Sequence, residues 1–257
     1  MFRRALSLGA AVAAVAGFVF VASAVRAAEI KMLTSVALTA ALNELVPQFE
    51  KASGDKVTVV YGLAAEMKKR VLEGESADVI MITRAMLDDL AKQNRVAAGS
   101  VVDVAGTPVS LAARAGAAKP DIGTVEAFKR TLLAAKSIVY ADPAKGGLSG
   151  VVFARALERL GIADQMKAKT ILVPGAQAAE VVARGEAELG VAQASEIVPV
   201  KGAEFLGPLP GELASMTVFA AAVGTNSKSP GAKALIEFLR GAQAAPAFKA
   251  NGFEPAP

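Results

Sequence analysis

Apolar and polar positions alternate in a repeating order along this chain. Ile30 to Leu33 is a short apolar run suited to a buried strand, and Thr34-Ser35 follows it. From Val36 to Lys51 the apolar residues fall at helical spacing, at Leu38, Leu42, Leu45 and Phe49. Thr34 or Ser35 stands where that helix needs a cap. Gly54-Asp55 makes a turn, and Val57 to Tyr61, rich in β-branched residues, reads as a second strand. Gly62-Leu63-Ala64-Ala65 leads into a helical element from Glu66 to Leu72, which Gly74 ends. Asp78 to Ile82 is another strand, and Thr83-Arg84 opens the helix around Met86, Leu87 and Leu90.

Strand, short loop and helix thus recur three times within about the first sixty residues after position 28, which predicts an α/β fold with a mainly parallel sheet flanked by helices. Ligands of such sheets sit outside the carboxyl ends of the strands, where loops enter helices. Val101 to Val104 and Val109 to Ala113 form an extended stretch around Gly106-Thr107-Pro108, and the cycle then restarts. Thr124 caps a helix around Phe128 and Leu132, and Ser137 to Tyr140 is a strand. The Gly-rich loop Ala141 to Gly150 opens onto a helix beginning near Val151. Thr170 to Val173 and Leu189 to Ala192 are strands, the first leading through Pro174-Gly175-Ala176-Gln177 into a helix. Leu206 to Pro210 reads as a loop, Ser215 to Val223 as a last strand, and Ala232 to Arg240 as a helix. Two sets of these units separated by an extended crossover predict two lobes with a cleft between them.

Composition narrows the chemistry. The 257 residues contain no Cys, His or Trp. A disulfide framework, a Cys/His zinc site, a thiol nucleophile and a Ser-His-Asp triad are excluded. An enzyme on this chain works with carboxylates, Lys, Arg, Tyr or Ser; no cofactor and no metal are expected. Arg3, Arg4, the apolar run Ala11 to Val21 and the small residues up to Ala27 predict a signal peptide over residues 1–27 and hence a periplasmic protein. Without Arg3, Arg4 and Arg26, 25 basic residues remain against 24 acidic ones. No basic patch with interleaved aromatics stands out, which disfavours nucleic acid.

The loop Tyr140-Ala-Asp-Pro-Ala-Lys-Gly-Gly-Leu-Ser-Gly150 is the strongest candidate for binding. A helix start carries unpaired N–H groups and the positive end of the helix dipole, a ready site for an anion. Ser149 and Gly150 are placed to meet a small anionic ligand there, and Lys145 to add a charge or remain a solvated loop lysine. Other candidates at strand ends are Thr34, Ser35, Leu63, Ala64, Arg84 and Gln193. Arg84 is equally placed to pair with Asp88 one turn on. Glu66 and Glu196 suit structural roles as readily as chemical ones.

The stretches Leu33-Thr-Ser-Val36, Ser76-Ala-Asp-Val-Ile-Met81, Ala141-Asp-Pro-Ala-Lys-Gly-Gly-Leu-Ser-Gly150, Val182 to Gly190 and Val191-Ala-Gln-Ala-Ser-Glu196 come in an order and spacing that resembles the molybdate-binding-protein family. These are periplasmic solute-binding proteins of ABC transporters with a type II two-lobed fold. The resemblance implies lobe 1 from residues 28–107 plus 214–257, lobe 2 from 108–213, hinge closure on the ligand, a transporter permease as partner, and a monomer. Where the family offers a second Ser-rich loop, this chain has Gly62-Leu63-Ala64-Ala65; where it often offers Tyr, this chain has Gln193. With fewer hydroxyl donors, and with Arg84 and Lys145 near the expected mouth, an organic carboxylate or polycarboxylate is expected rather than molybdate. The resemblance also extends to the bacterial aconitate isomerases, which move a proton on an unsaturated tricarboxylate. For that activity the candidate proton carriers are Lys145, Glu196, Glu66, Tyr61 and Tyr140.

Overall fold

The computed structural model describes residues 27–255. Residues 1–26 of the expected signal peptide lie outside them. The first half of the fold runs β1 (Glu29–Ser35), α1 (Thr39–Ser53), β2 (Lys56–Gly62), α2 (Ala64–Leu72), β3 (Val79–Thr83), α3 (Arg84–Lys92) and β4 (Val102–Arg114). It continues with α4 (Val125–Ala134), β5 (Ile138–Ala141), α5 (Leu148–Arg159), α6 (Ala163–Lys167), β6 (Thr170–Val173), α7 (Ala178–Ala183), β7 (Leu189–Gln193) and α8 (Ala194–Ile197). The last elements are β8 (Ala203–Pro208), β9 (Met216–Val223), α9 (Gly231–Arg240), α10 (Ala245–Ala250) and β10 (Glu254–Pro255).

The strand order is β2-β1-β3-β9-β4-β7-β5-β6, with β8 and β10 each paired to β4. β1 pairs in parallel with β2 and β3, and β5 with β6 and β7, so each half carries a parallel set with its strand ends pointing the same way. β9 runs antiparallel to β3, β4 runs antiparallel to β7, and β4 and β9 are antiparallel to each other. β4 is one continuous strand: up to Pro108 it pairs with β9, and from Val109 it pairs with β7. The sequence pattern resolves it into two pieces because Gly106 and Pro108 interrupt the alternation where the strand changes partner.

Packing follows that change. The buried apolar clusters around Leu42 and Leu235, and around Met67 and Leu87, draw on residues before 106 and after 218. Those around Phe128 and Phe153, and around Val139 and Val182, draw on residues 109–213. One partly buried side chain crosses over: Leu148, at the start of α5, packs on the Leu33–Met67 cluster.

Several local expectations hold. Ser35 Oγ accepts from the Ala37 amide at 3.4 Å, Thr124 Oγ1 accepts from Ala127 at 3.1 Å, and Gly54 closes α1 in the left-handed conformation. The expected loop Leu206 to Pro210 is instead largely strand, because β8 pairs antiparallel with β4 over Ala203–Pro208. As an edge strand it accommodates Gly207 at positive φ beside a register shift, and Pro208 at its end.

Gly150 is fixed by packing. A Cβ there would lie 1.7 Å from the Ala141 carbonyl oxygen, so the start of α5 rests directly on the end of β5. Gly150→Ala is therefore expected to cost about 1–3 kcal/mol through forced backbone displacement, read as a melting temperature several degrees lower. An unchanged melting temperature would show that the α5 start has room to move.

Candidate functional site

The carboxyl ends of β1, β2, β5, β6 and β7 converge on one small pocket. It is lined by Ser35 and Val36 after β1, Leu63 and Ala64 after β2, Ala141 and Gly146 to Ser149 after β5, Gly175 after β6, and Glu196 after β7. Its volume is about 20 Å³, room for roughly one water molecule. The walls from the two halves touch: a Cβ on Gly146 would lie 3.5 Å from the Ala65 Cβ, and one on Gly175 would lie 3.7 Å from a Leu63 methyl. Both glycines have positive φ, so their loops turn in conformations other residues resist.

Two helices begin at the pocket with no side-chain cap: α2 after Leu63 and α5 after Gly147. Their first-turn amides carry the positive dipole end. The hydroxyl-bearing residues Ser35 and Ser149 also line it, both 3% exposed. This set of donors suits an oxyanion or carboxylate.

Glu196 supplies the pocket's one titratable lining group. It is partly buried, and its carboxylate accepts from the Gln193 amide at 3.2 Å, closing the first turn of α8. Desolvation drives its pKa from the ordinary 4.5 to about 7; the Gln193 hydrogen bond opposes the rise and the charge of Glu180 adds to it. No Lys or Arg lines the pocket to offset it. Glu196 also lines a wider groove of about 680 Å³ that continues outward past Asn43, Glu66, Gln177, Glu180 and Ser195.

The structure thus brings together Ser35, Leu63, Ala64, Ser149 and Glu196, with Glu66 in the outer groove. Other nominated residues stand elsewhere. Thr34 is fully buried and its hydroxyl donates to the Met81 carbonyl at 2.9 Å. Arg84 lines neither cavity; its guanidinium donates to Asp88 and Asp103, each at 2.9 Å. Its helix partner Asp88 wins it, as the one-turn spacing allows, and Asp103 of β4 fixes it from the other side. Gln193 is 1% exposed and its amide donates to Thr217 Oγ1 at 2.8 Å, tying β7 to β9 instead of facing the pocket. Gly150 is turned onto Ala141 and is not part of the lining. Lys145 is exposed on the turn just before Gly146, and its ammonium makes no ion pair among the described residues. Tyr140 packs edge-on against Phe153 in the core. Tyr61 donates to Asn43 Oδ1 at 3.3 Å, and burial raises its phenol pKa.

Sequence reasoning did not nominate Gly175, Glu180 or Ser195. Gly175 follows β6, so its place at a strand end was a usable signal. Glu180 has the signature of a dipole-complementing acid in the first turn of a helix, which conceals its other neighbours.

A family model described as bacterial extracellular solute-binding protein matches residues 30–254. The chain is 34% identical over 233 residues to an aconitate isomerase from a Pseudomonas species, covering 88% of this chain and 87% of that protein. It is 31% identical over 242 residues to the molybdate-binding protein ModA of Azotobacter vinelandii, covering 90% and 92%. The solved structure of the periplasmic molybdate-binding protein of Azotobacter vinelandii matches with a TM-score of 0.74 and 20% identity, over 89% of this chain and all of that one, which is a likeness of fold.

The raised Glu196 pKa has a stability consequence of definite sign. The folded protein resists ionising this group, so its contribution is complete below about pH 4.5 and is lost as pH rises through about 7. Glu196→Gln should therefore stabilise the fold above pH 7, by up to about 3 kcal/mol, and leave it unchanged near pH 4.5. Thermal melts at the two pH values check this. A variant equally or less stable than the parent at both contradicts the strained carboxyl.

Proposed function

The chain belongs to the bacterial extracellular solute-binding protein family, of the molybdate-binding-protein type, and from that premise we propose that it is a periplasmic isomerase interconverting trans- and cis-aconitate by cofactor-free proton transfer. The observation that carries this reading is the placement of Glu196: a desolvated carboxyl in the lining of a pocket at which two uncapped helices start. The likeness to the Pseudomonas aconitate isomerase supports it. The reading takes lobe 1 as 28–107 plus 214–257 and lobe 2 as 108–213, a division that the separation of the apolar clusters supports.

The chemistry is a 1,3-proton shift. The Glu196 carboxylate takes a proton from the methylene carbon of the substrate. The electron pair spreads through the adjoining double bond toward the carboxylate groups. Glu196-H then returns the proton to the former vinylic carbon, and the double bond has moved. Nothing is oxidised or reduced. A base with a pKa near the working pH suits both halves of this cycle. The first-turn amides of α2 and α5, with the Ser35 and Ser149 hydroxyls, are aimed to stabilise the charge that develops. Lys145, exposed on the turn before Gly146, is the cation of the Gly-rich loop that this reading brings over the ligand on closure. The pocket volume requires the lobes to part before a tricarboxylate enters and to close over it afterwards.

The second reading is a binding protein that delivers a carboxylate to an ABC-type permease. The family as a whole favours it, and the same donors serve it. Incubation of the protein with trans-aconitate, followed by chromatography, separates the two. Conversion to cis-aconitate is expected, with Glu196→Gln slower by about 10²–10⁴-fold. A thermal shift with aconitate but no conversion would replace the isomerase with the binding protein. Arg84→Ala, with its guanidinium already engaged by Asp88 and Asp103, should leave conversion unchanged. A large loss would return Arg84 to the site.

A further inference from the structure

Glu180 is the other carboxyl whose environment is unusual. It stands in the first turn of α7 and lines the outer groove together with Glu196. It is partly buried, and its Oε2 is shielded from solvent with no hydrogen-bond partner among the described residues. Ser195, in the same groove, is 4% exposed and its Oγ is likewise without a partner among the described residues. No Lys or Arg lines the groove. Two carboxyl groups in one poorly solvated space without a cation do not both ionise readily; one keeps a proton.

Resting on the reading of Glu196 as proton carrier, we propose that Glu180 is a positioning residue that holds the proton on Glu196 from the solvent side of the groove. Glu196 borders both the small pocket and the groove, whereas Glu180 borders the groove alone. The two carboxyl groups therefore meet through the groove and not through the pocket. One cation acts on the pair: Arg184 feels the charge of Glu180, although its main partner is Glu186. Arg184, one turn along α7, puts its guanidinium on Glu186 at 2.7 Å. Glu204 on β8 is paired with Lys119. Arg114, at the end of β4, lies against Gly185 at the far end of α7. Glu66 faces the groove from α2, where it is exposed and has Arg70 at 3.9 Å. Lys145 lines neither cavity. The direction of the Glu196 shift agrees with this arrangement, since the Glu180 charge raises it.

The test is a carboxyl titration by carbon-13 NMR on the whole protein labelled at glutamate side chains. The signal that titrates near pH 7 is assigned by its loss in Glu196→Gln. In Glu180→Gln its midpoint should fall, by less than half of its rise above 4.5 because desolvation is the larger cause, and Glu180→Ala should shift it in the same direction. Glu66→Gln, which removes the more exposed groove carboxyl, should shift it by much less. A midpoint unmoved by both Glu180 variants, or moved as far by Glu66→Gln, overturns the assignment to Glu180. So does a parent spectrum with no glutamate titrating above about pH 6. The titration needs no turnover: an absence of aconitate conversion would defeat the isomerase reading while leaving the midpoint shift in place.

Discussion

Desolvation of one carboxyl group sets the terms for this site. Glu196 sits where five strand ends meet, and the protein offers it a single backbone amide and no cation. A carboxylate in such a place is costly, so the group holds its proton to near neutral pH. The same pocket also holds groups suited to negative charge: two helix starts left uncapped, and two buried serines. A side chain that resists ionisation thus shares one lining with donors that suit an anion.

The position of Glu196 depends on how the halves are joined. β4 runs unbroken from one sheet to the other, and Thr107 lies just before its change of partner. The Thr107 hydroxyl donates to the Gly252 carbonyl at 3.0 Å and accepts from the Ser195 amide at 3.1 Å. The first turn of α8, which carries Glu196, is thereby anchored to the crossing strand and to the end of the chain. Gln193 adds a second tie through Thr217 on β9. Across the mouth the contacts are lighter and apolar: Leu148 against the Leu33–Met67 cluster, and the Gly146 and Gly175 loops against Ala65 and Leu63. Side-chain hydrogen bonds thus hold the region of the crossing strand, while the strand-end pocket is closed by apolar contacts.

Much of this was legible in the residues. The 2.0 and 3.6 periodicities located the βα units, and the rule that ligands gather at strand carboxyl ends pointed to Ser35, Leu63, Ala64 and Ser149, which share one pocket lining. Competition between partners was not legible. Arg84 had Asp88 in view as a neighbour along the helix, but Asp103 reaches it from a strand nineteen residues on. Thr34 and Gln193 lie at strand ends as the ligand-facing residues do, yet their side chains satisfy buried neighbours instead. Gly150 looked like an opening for a ligand and is an opening for the Ala141 carbonyl. Glu196 was visible as a candidate, but its desolvation comes from elements distant in sequence and emerges only once they are folded together.

The pH dependence of aconitate isomerisation tests the central claim most directly, because it reads the ionisation of Glu196 during turnover. Activity is predicted to rise through a single ionisation near pH 7, the value at which Glu196 becomes a base. A rising limb centred near an ordinary carboxylate value of about 4.3, or a profile flat between those limits, would contradict it.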